Sequence, residues 1–498
     1  MTASTNLQAL VRRGLAWSAL NSMVLRVGNF LVGIFLARIL VPELFGVFAV
    51  ALTVQTILMT LADLGMSADL IRSDNPREKA PTVATLALIS GAGLSVVMMT
   101  SAQGIADLLG SRQAGPVIAV SALSLVLAGA GVVPYAALQR EFAQKKVFII
   151  AVVEFIVGTA ATLILVSAGW GVMGLAIARL AAQLATLILQ FRLSGERLRL
   201  GYNRTLAPGI IKFGLPIAGA NVLSWMLLNV DNIVISRLAG PVSLGYYYLA
   251  FNISNWPMSA LGQVVRSVSI PTFARIASGK NDKSLASVIG SVWAAALLIG
   301  MMLAVLANPI VELIYGSRWL PSAYILTWLG CFGALRTLFD LAAGYLVARG
   351  GGNSIFFVQL AWMATLIPAT IIGAWAGQAV GVAVAHLAVA LVVVCPSYAV
   401  ALRANGADVR AVAIKLCPPL AAGLPALIVT TGVVSLDLPP LATLLLGGGA
   451  STSIYVLLLR RWVRRQLSEL AAFLPVVDSS APDSGDSRTA TTFDRRDG

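Results

Sequence analysis

The sequence predicts an all-α polytopic membrane protein of two pseudo-symmetric six-helix lobes and two further C-terminal helices. Three observations carry that prediction. First, 58% of the 498 residues are hydrophobic and only 11% are charged, with a mean hydropathy of +0.86; a soluble globular chain carries roughly 25% charged residues. Second, the apolar residues come in continuous runs of ~20 or more, the length of a membrane-crossing helix, whereas barrel strands alternate at every second residue. Third, a pattern near the start of the chain returns 199 residues later.

The repeat is anchored on two hairpins. Leu36, Ala37, Arg38, Pro42, Phe45, Gly46 and Ala51 fall opposite Ile235, Ser236, Arg237, Pro241, Leu244, Gly245 and Ala250, with four identities in sixteen positions, and the apolar runs on both sides superimpose at the same offset. The chain therefore reads as two copies of one membrane unit. The fourteen expected spans run approximately over 15–37, 44–66, 81–103, 116–138, 147–168, 171–191, 210–236, 244–266, 285–307, 321–347, 354–374, 378–401, 411–434 and 438–459. Residues 1–200 then form an N-terminal lobe, 201–404 a C-terminal lobe, 405–466 the two extra spans, and 467–498 a disordered cytoplasmic tail too polar to order itself. Six spans per lobe is even, so both lobes enter the membrane in the same direction and their symmetry axis stands along the membrane normal.

Basic residues orient the chain. With both termini on the cytoplasmic side, inner loops and tails hold 28 of the 35 Lys and Arg residues, and the outer turns hold four, Arg38, Arg112, Arg237 and Arg318. The net charge of +14 is thus spread by topology, not gathered on a nucleic-acid-binding face. Trp170, Trp319 and Trp375 are expected at outer interfaces and Trp17 and Trp462 at inner ones, each with a wet indole N–H. The run after Arg12 and Arg13 continues as a span and lacks a small-x-small exit site, so no cleavable signal is expected.

Several chemistries find no support. Cys331, Cys395 and Cys417 lie far apart in apolar runs and read as buried packing thiols, without disulfides or a metal site. The lone histidine, His386, reads as a polar packing residue, with a proton relay as the alternative. No Walker loop, metal-ligand cluster or nucleophile elbow is found. No loop is long enough for an extracellular catalytic domain, so an enzyme is not expected and no cofactor is implied.

Polar groups at membrane depth then become the candidate site, because an arginine at a helix centre costs roughly 2.5–3.5 kcal/mol on insertion scales. Arg26, Arg179 and Arg336 are expected near mid-depth, and Arg266 shallower. Arg336 has Asp340 four residues on, the spacing of an ion pair on one helix face. Arg179 has Glu154 as a possible partner across its hairpin. Arg26 has only amides beside it, Asn21 and Asn29, which leaves its charge to a water-filled cavity or a ligand anion. In the second repeat Trp225 stands opposite Arg26, and Asn221, Asn229, Asp231, Asn232, Asn252 and Asn255 crowd spans 7 and 8. Amides bond sugar hydroxyls and aromatic faces cover sugar C–H groups; interhelical glue is the alternative.

The stretch Val230 to Ile276, VDNIVISRLAGPVSLGYYYLAFNISNWPMSALGQVVRSVSIPTFARI, resembles the seventh and eighth helices of the polysaccharide transporter family. These are the Wzx-like oligosaccharide flippases of the multidrug/oligosaccharidyl-lipid/polysaccharide superfamily. Phe35 to Ala51, FLARILVPELFGVFAVA, is similar to the matching element of the family's first hairpin. The resemblance implies a V-shaped pair of six-helix lobes moving undecaprenyl-pyrophosphate-linked oligosaccharides across the bacterial cytoplasmic membrane, with arginines of the first and eighth helices, here Arg26 and Arg266, lining the cavity. The acid that accompanies the first-helix arginine in relatives is absent here. A proton or sodium gradient, or consumption of product outside, would drive transport, with Asp231, Glu154, Asp340 and Asp63 as the ionisable candidates, and the polysaccharide synthesis machinery is an expected partner. A multidrug or small-solute antiporter on the same fold, and a scaffold acting through its basic inner surface, are the alternatives.

Overall fold

The computed structural model describes residues 24–63, 65–275, 282 and 284–473. Trp17, the polar tail beyond residue 473, and the side chains of Asp63 and Arg266 lie outside the described residues.

The described chain is helical almost throughout. In order come α1 (24–39), α2 (Pro42–Asp63), α3 (Met66–Arg72), α4 (Pro76–Leu108), α5 (Ala114–Ser121), α6 (Leu123–Arg140), α7 (Gln144–Ser167) and α8 (Gly171–Ser194). They continue with α9 (Ala207–Arg275), α10 (Ser284–Val305), α11 (Ala307–Tyr315), α12 (Pro321–Ala348), α13 (Gly352–Val389), α14 (Cys395–Ala404), α15 (Val409–Val434) and α16 (Pro440–Phe473). Prolines open α2, α4, α12 and α16, where a missing N–H costs nothing. Asp408 caps α15, its carboxylate accepting the Ala411 N–H at 2.9 Å. Ten stretches are long and apolar enough to cross a membrane. The 16 described residues of α1, and α9, are not among them.

Two of these helices double back. In a continuous helix Asp231 and Tyr247 would stand ~24 Å apart at ~1.5 Å per residue, yet the tyrosine hydroxyl donates to the carboxylate at 2.6 Å. The reversal is at Gly240, whose φ of 80° and ψ of 173° break the helix. Residues 207–239 and 241–275 are called α9N and α9C. Helix α13 likewise turns at Gly377 and Gln378, so closely that a Cβ on Gly373 would overlap the Gly381 carbonyl. Ser243 Oγ bonds Gln378 Oε1 at 3.2 Å, so both reversals lie at one end of the molecule, the turn end.

Helices α2 to α8 pack largely with one another, α9 to α14 do the same, and α15 and α16 lean on α10 and α11. The two groups meet most extensively where α2 lies along α9. That seam is reciprocal. A Cβ on Gly46 would overlap the Pro241 carbonyl oxygen, and a Cβ on Gly245 the Pro42 carbonyl oxygen; only glycine lets the two backbones approach so closely. Around it Arg38 bonds the carbonyls of Leu313 and Ile314 at 2.7 and 2.9 Å, satisfying the C-terminal carbonyls of α11. Ser236 Oγ bonds the Leu109 carbonyl at 2.5 Å.

The opposite end is the basic end. There Asp282, half-buried between α10, α12 and α15, accepts from Ser284 N and Oγ and pairs with Arg349. Burial pushes its carboxyl up, but the Ser284 bonds and the Arg349 guanidinium outweigh this and hold it below the usual carboxylate range.

Two expectations are corrected. Trp319 is fully buried, not interfacial: its Nε1 donates to the Ala37 carbonyl at 2.6 Å and Phe45 packs edge-on against its ring. Nor are the cysteines uniformly buried, since Cys417 is exposed and the other two are half-buried. An apolar run does not distinguish a core-facing from a lipid-facing position, and α15 also exposes Leu420, Leu424 and Ile428.

Candidate functional site

A cavity of about 620 Å³ lies between the two helix groups, bounded by α1, α2, α7 and α8 on one side and α9C on the other. Its size falls within the range of small-molecule sites, ~300–1,000 Å³. Two arginines and one glutamate line it: Arg26 from α1, and Arg179 and Glu154 from α8 and α7. The α7–α8 hairpin brings the last two close enough for the arginine charge to act on the carboxylate. Asn29, Asn252 and Asn255 supply amides. The site therefore carries one net positive charge, if all three groups are ionised, amid hydrogen-bonding groups that can both donate and accept.

Arg26 is held from across the cavity. Its Nη1 donates to Ser259 Oγ at 2.9 Å, while Trp256 Nε1 donates to its carbonyl at 3.3 Å. Trp256 stacks on Phe30 with ring centroids 4.9 Å apart. Among the described residues Arg26 makes no ion pair, so its charge is left to the cavity. The bond to a neutral hydroxyl fixes the guanidinium without neutralising it.

Of the predicted binding residues, the structure thus brings together Arg26, Asn29, Arg179, Asn252 and Asn255, with Glu154 from the coupling candidates. Asn221 and Trp225 do not line this cavity; they lie on α9N, where the Trp225 carbonyl accepts from Asn229 Nδ2 at 3.0 Å. Arg336 is also outside it. It stands near Tyr247 within the second helix group, close enough to act on it electrostatically. Asp340, further along α12, similarly bears on Tyr398. Asp231 is buried away from the cavity beside Tyr247 and His386.

Sequence reasoning missed Trp256 and Ser259. The signal was present: Asn252, Asn255, Trp256 and Ser259 are spaced i, i+3, i+4 and i+7, one face of a helix. The indole expected from Trp225 by repeat symmetry is instead supplied by Trp256 on the other arm of the same hairpin.

Known proteins resemble the chain over most of its length. Residues 35–324 match the profile of a family described as polysaccharide biosynthesis protein. The lipopolysaccharide biosynthesis protein WzxC of Escherichia coli K12 is 27% identical over 429 residues, which span 84% of this chain and 86% of that protein. The succinoglycan biosynthesis transport protein ExoT of Rhizobium meliloti is 26% identical, over 72% of this chain and 73% of its own. In three dimensions the fold is similar to that of the lipid II flippase MurJ in an inward closed conformation, with a TM-score of 0.71 at 15% identity, covering 90% of this chain and all of that one. A multidrug resistance MATE family transporter in an inward-facing conformation shares the fold at a TM-score of 0.57 and 15% identity, covering 78% of this chain and 98% of its own.

Proposed function

The chain belongs to the polysaccharide biosynthesis protein family, and we propose that it is a flippase for polyprenyl-pyrophosphate-linked oligosaccharide repeat units. It would carry them across the bacterial cytoplasmic membrane, for exopolysaccharide, capsule or O-antigen-type synthesis. The supporting observation is the cavity between the helix groups, with Arg26 and Arg179 facing amides and an indole. Moving a pyrophosphate through bare hydrocarbon would cost tens of kcal/mol by Born estimates. The guanidinium forks and cavity water would replace the lost hydration shell, Trp256 would cover a sugar face, and the polyprenyl tail would stay in lipid.

In this reading the domains are the two lobes, 1–200 and 201–404, with 405–466 adding two spans to reach fourteen, and both termini are cytoplasmic. The turn end then faces outward. There the α2–α9 seam is closed, so the head would leave only after the lobes rock and part it. No covalent chemistry takes place in the chain. A proton or sodium gradient would supply the energy, and the basic inner surface would meet the synthesis machinery. An antiporter of cationic drugs would favour an acid-lined pocket; two arginines against one glutamate point to an anionic substrate.

Substituting Arg26→Ala at normal membrane abundance is expected to stop export and leave lipid-linked repeat units on the inner leaflet. Unimpaired export would remove Arg26 from the site. Arg26→Lys separates bidentate recognition from mere charge, because lysine cannot make the fork.

A further inference from the structure

 A second polar centre lies within the second helix group, formed by three residues: Asp231 on α9N, Tyr247 on α9C and His386 on the second half of α13. All three are buried, at 2%, 0% and 5% exposure. The Tyr247 hydroxyl donates to Asp231 Oδ2 at 2.6 Å, and the Asn232 N–H to Oδ1 at 2.9 Å. His386 Nε2 approaches the same Oδ2 at 3.4 Å, an ion-pair distance, but without hydrogen-bond alignment, and neither ring nitrogen has a hydrogen-bond partner among the described residues. Leaving a buried polar group unsatisfied is costly, because its lost hydration is not replaced. A proton on the imidazole removes much of that cost, because an imidazolium can close on the adjacent carboxylate.

We propose that Asp231, Tyr247 and His386 form a proton-binding site within the second helix group. The proton adds to His386 Nε2, and the resulting imidazolium pairs with the Asp231 carboxylate, which keeps its bond from Tyr247. The surroundings leave few competitors. Helix α9 contributes Asp231 and Tyr247; α12 contributes Arg336, which bears on Tyr247, and the Phe332 ring, 5.1 Å from the imidazole. The segment Ala390–Val394 has no ionisable side chain, and on α14 Tyr398 is stacked on Phe339. The site also adjoins the seam: Asn232, next to Asp231, reaches Thr53 Oγ1 of α2 at 3.5 Å. Use of this proton to drive transport rests on the flippase reading; the site itself does not.

The chain has one histidine, so full-length protein labelled with ¹⁵N-histidine, without a polyhistidine tag and in lipid nanodiscs, reports His386 alone by NMR. The imidazole is expected to titrate between pH 5 and 8. Asp231→Asn should lower the midpoint by about one pH unit or more, since a nearby carboxylate favours the charged ring. Tyr247→Phe should raise it by freeing Oδ2. An imidazole neutral throughout that range, or a midpoint unmoved by Asp231→Asn, overturns the proposal. Should Asp231→Asn not fold, an unmoved midpoint in Tyr247→Phe does so. No oligosaccharide enters this measurement, so its failure leaves the flippase reading standing, while failed export assays would leave the titration standing.

Discussion

Substituting either seam glycine with alanine tests whether the close approach of α2 and α9 is a gate. The added methyl of Gly46→Ala meets the Pro241 carbonyl, and that of Gly245→Ala the Pro42 carbonyl. Both obstacles are backbone, which cannot rotate aside as a side chain can. Overpacking of this kind costs about 1–3 kcal/mol, and the cost falls only on the state in which the seam is shut. The closed-to-open ratio should therefore drop about 5- to 150-fold. Ser236, fully buried beside the seam and bonded to the Leu109 carbonyl, is the reporter: Ser236→Cys, with Cys331, Cys395 and Cys417 replaced, is titrated with a membrane-impermeant maleimide on intact cells. Labelling should accelerate within that range for each glycine variant, and by similar factors because the contacts are reciprocal. Gly33→Ala, with nothing near its added methyl, should leave the rate unchanged. Folded glycine variants that label no faster than the parent would refute the argument.

Three further outcomes follow from named contacts. Trp319→Phe removes the donor to the Ala37 carbonyl; it should cost about 1–3 kcal/mol and speed labelling of the same reporter. Trp256→Ala removes the stack on Phe30 and the bond to Arg26; affinity for a lipid-linked oligosaccharide, measured by native mass spectrometry, should fall about 5- to 10-fold, an aromatic contact being worth ~1 kcal/mol. Asp282 concerns acid stability. Its carboxyl is held below its ordinary value, so its contribution is present above the unfolded pKa of ~3.9 and lost as pH falls through the folded value. Melting temperatures measured from pH 5 to pH 3 should fall in the parent, while Asp282→Asn should start lower and lack this component of the decline.

How much was legible in the sequence depended on whether a feature was local. The hairpin at Gly240, the pairing of Pro42 with Pro241 and Gly46 with Gly245, and the polar residues of α9C could be read from spacing, because period and offset are properties of the chain itself. Arg26 could be marked as a cation without a local acid. Its partner could not, since Ser259 lies 233 residues away. His386 shows the same limit: nothing in its own apolar run announces Asp231, which another helix brings to it. Trp319 was misplaced for a related reason. An indole at a span edge can face headgroups or turn inward, and only the position of α1 decides that Ala37 offers it a carbonyl.

The two repeats have kept the seam alike and let the polar centres diverge. Gly46 and Gly245 make equivalent contacts, each against the other repeat's proline, as a gate between two halves requires. At the same offset of 199 residues, however, Arg26 stands opposite Trp225, and Asp231, Tyr247 and His386 stand opposite Val32, Phe48 and Leu187. The first repeat therefore has no carboxylate, phenol or imidazole where the second has its buried centre, and the second has no cation where the first lines the cavity. Two identical halves would offer a substrate anion and a proton the same groups, so the two would compete for one chemistry. With the cations on one side of the seam and the protonatable centre on the other, each can be occupied independently, and the α2–α9 contact is the element that both adjoin.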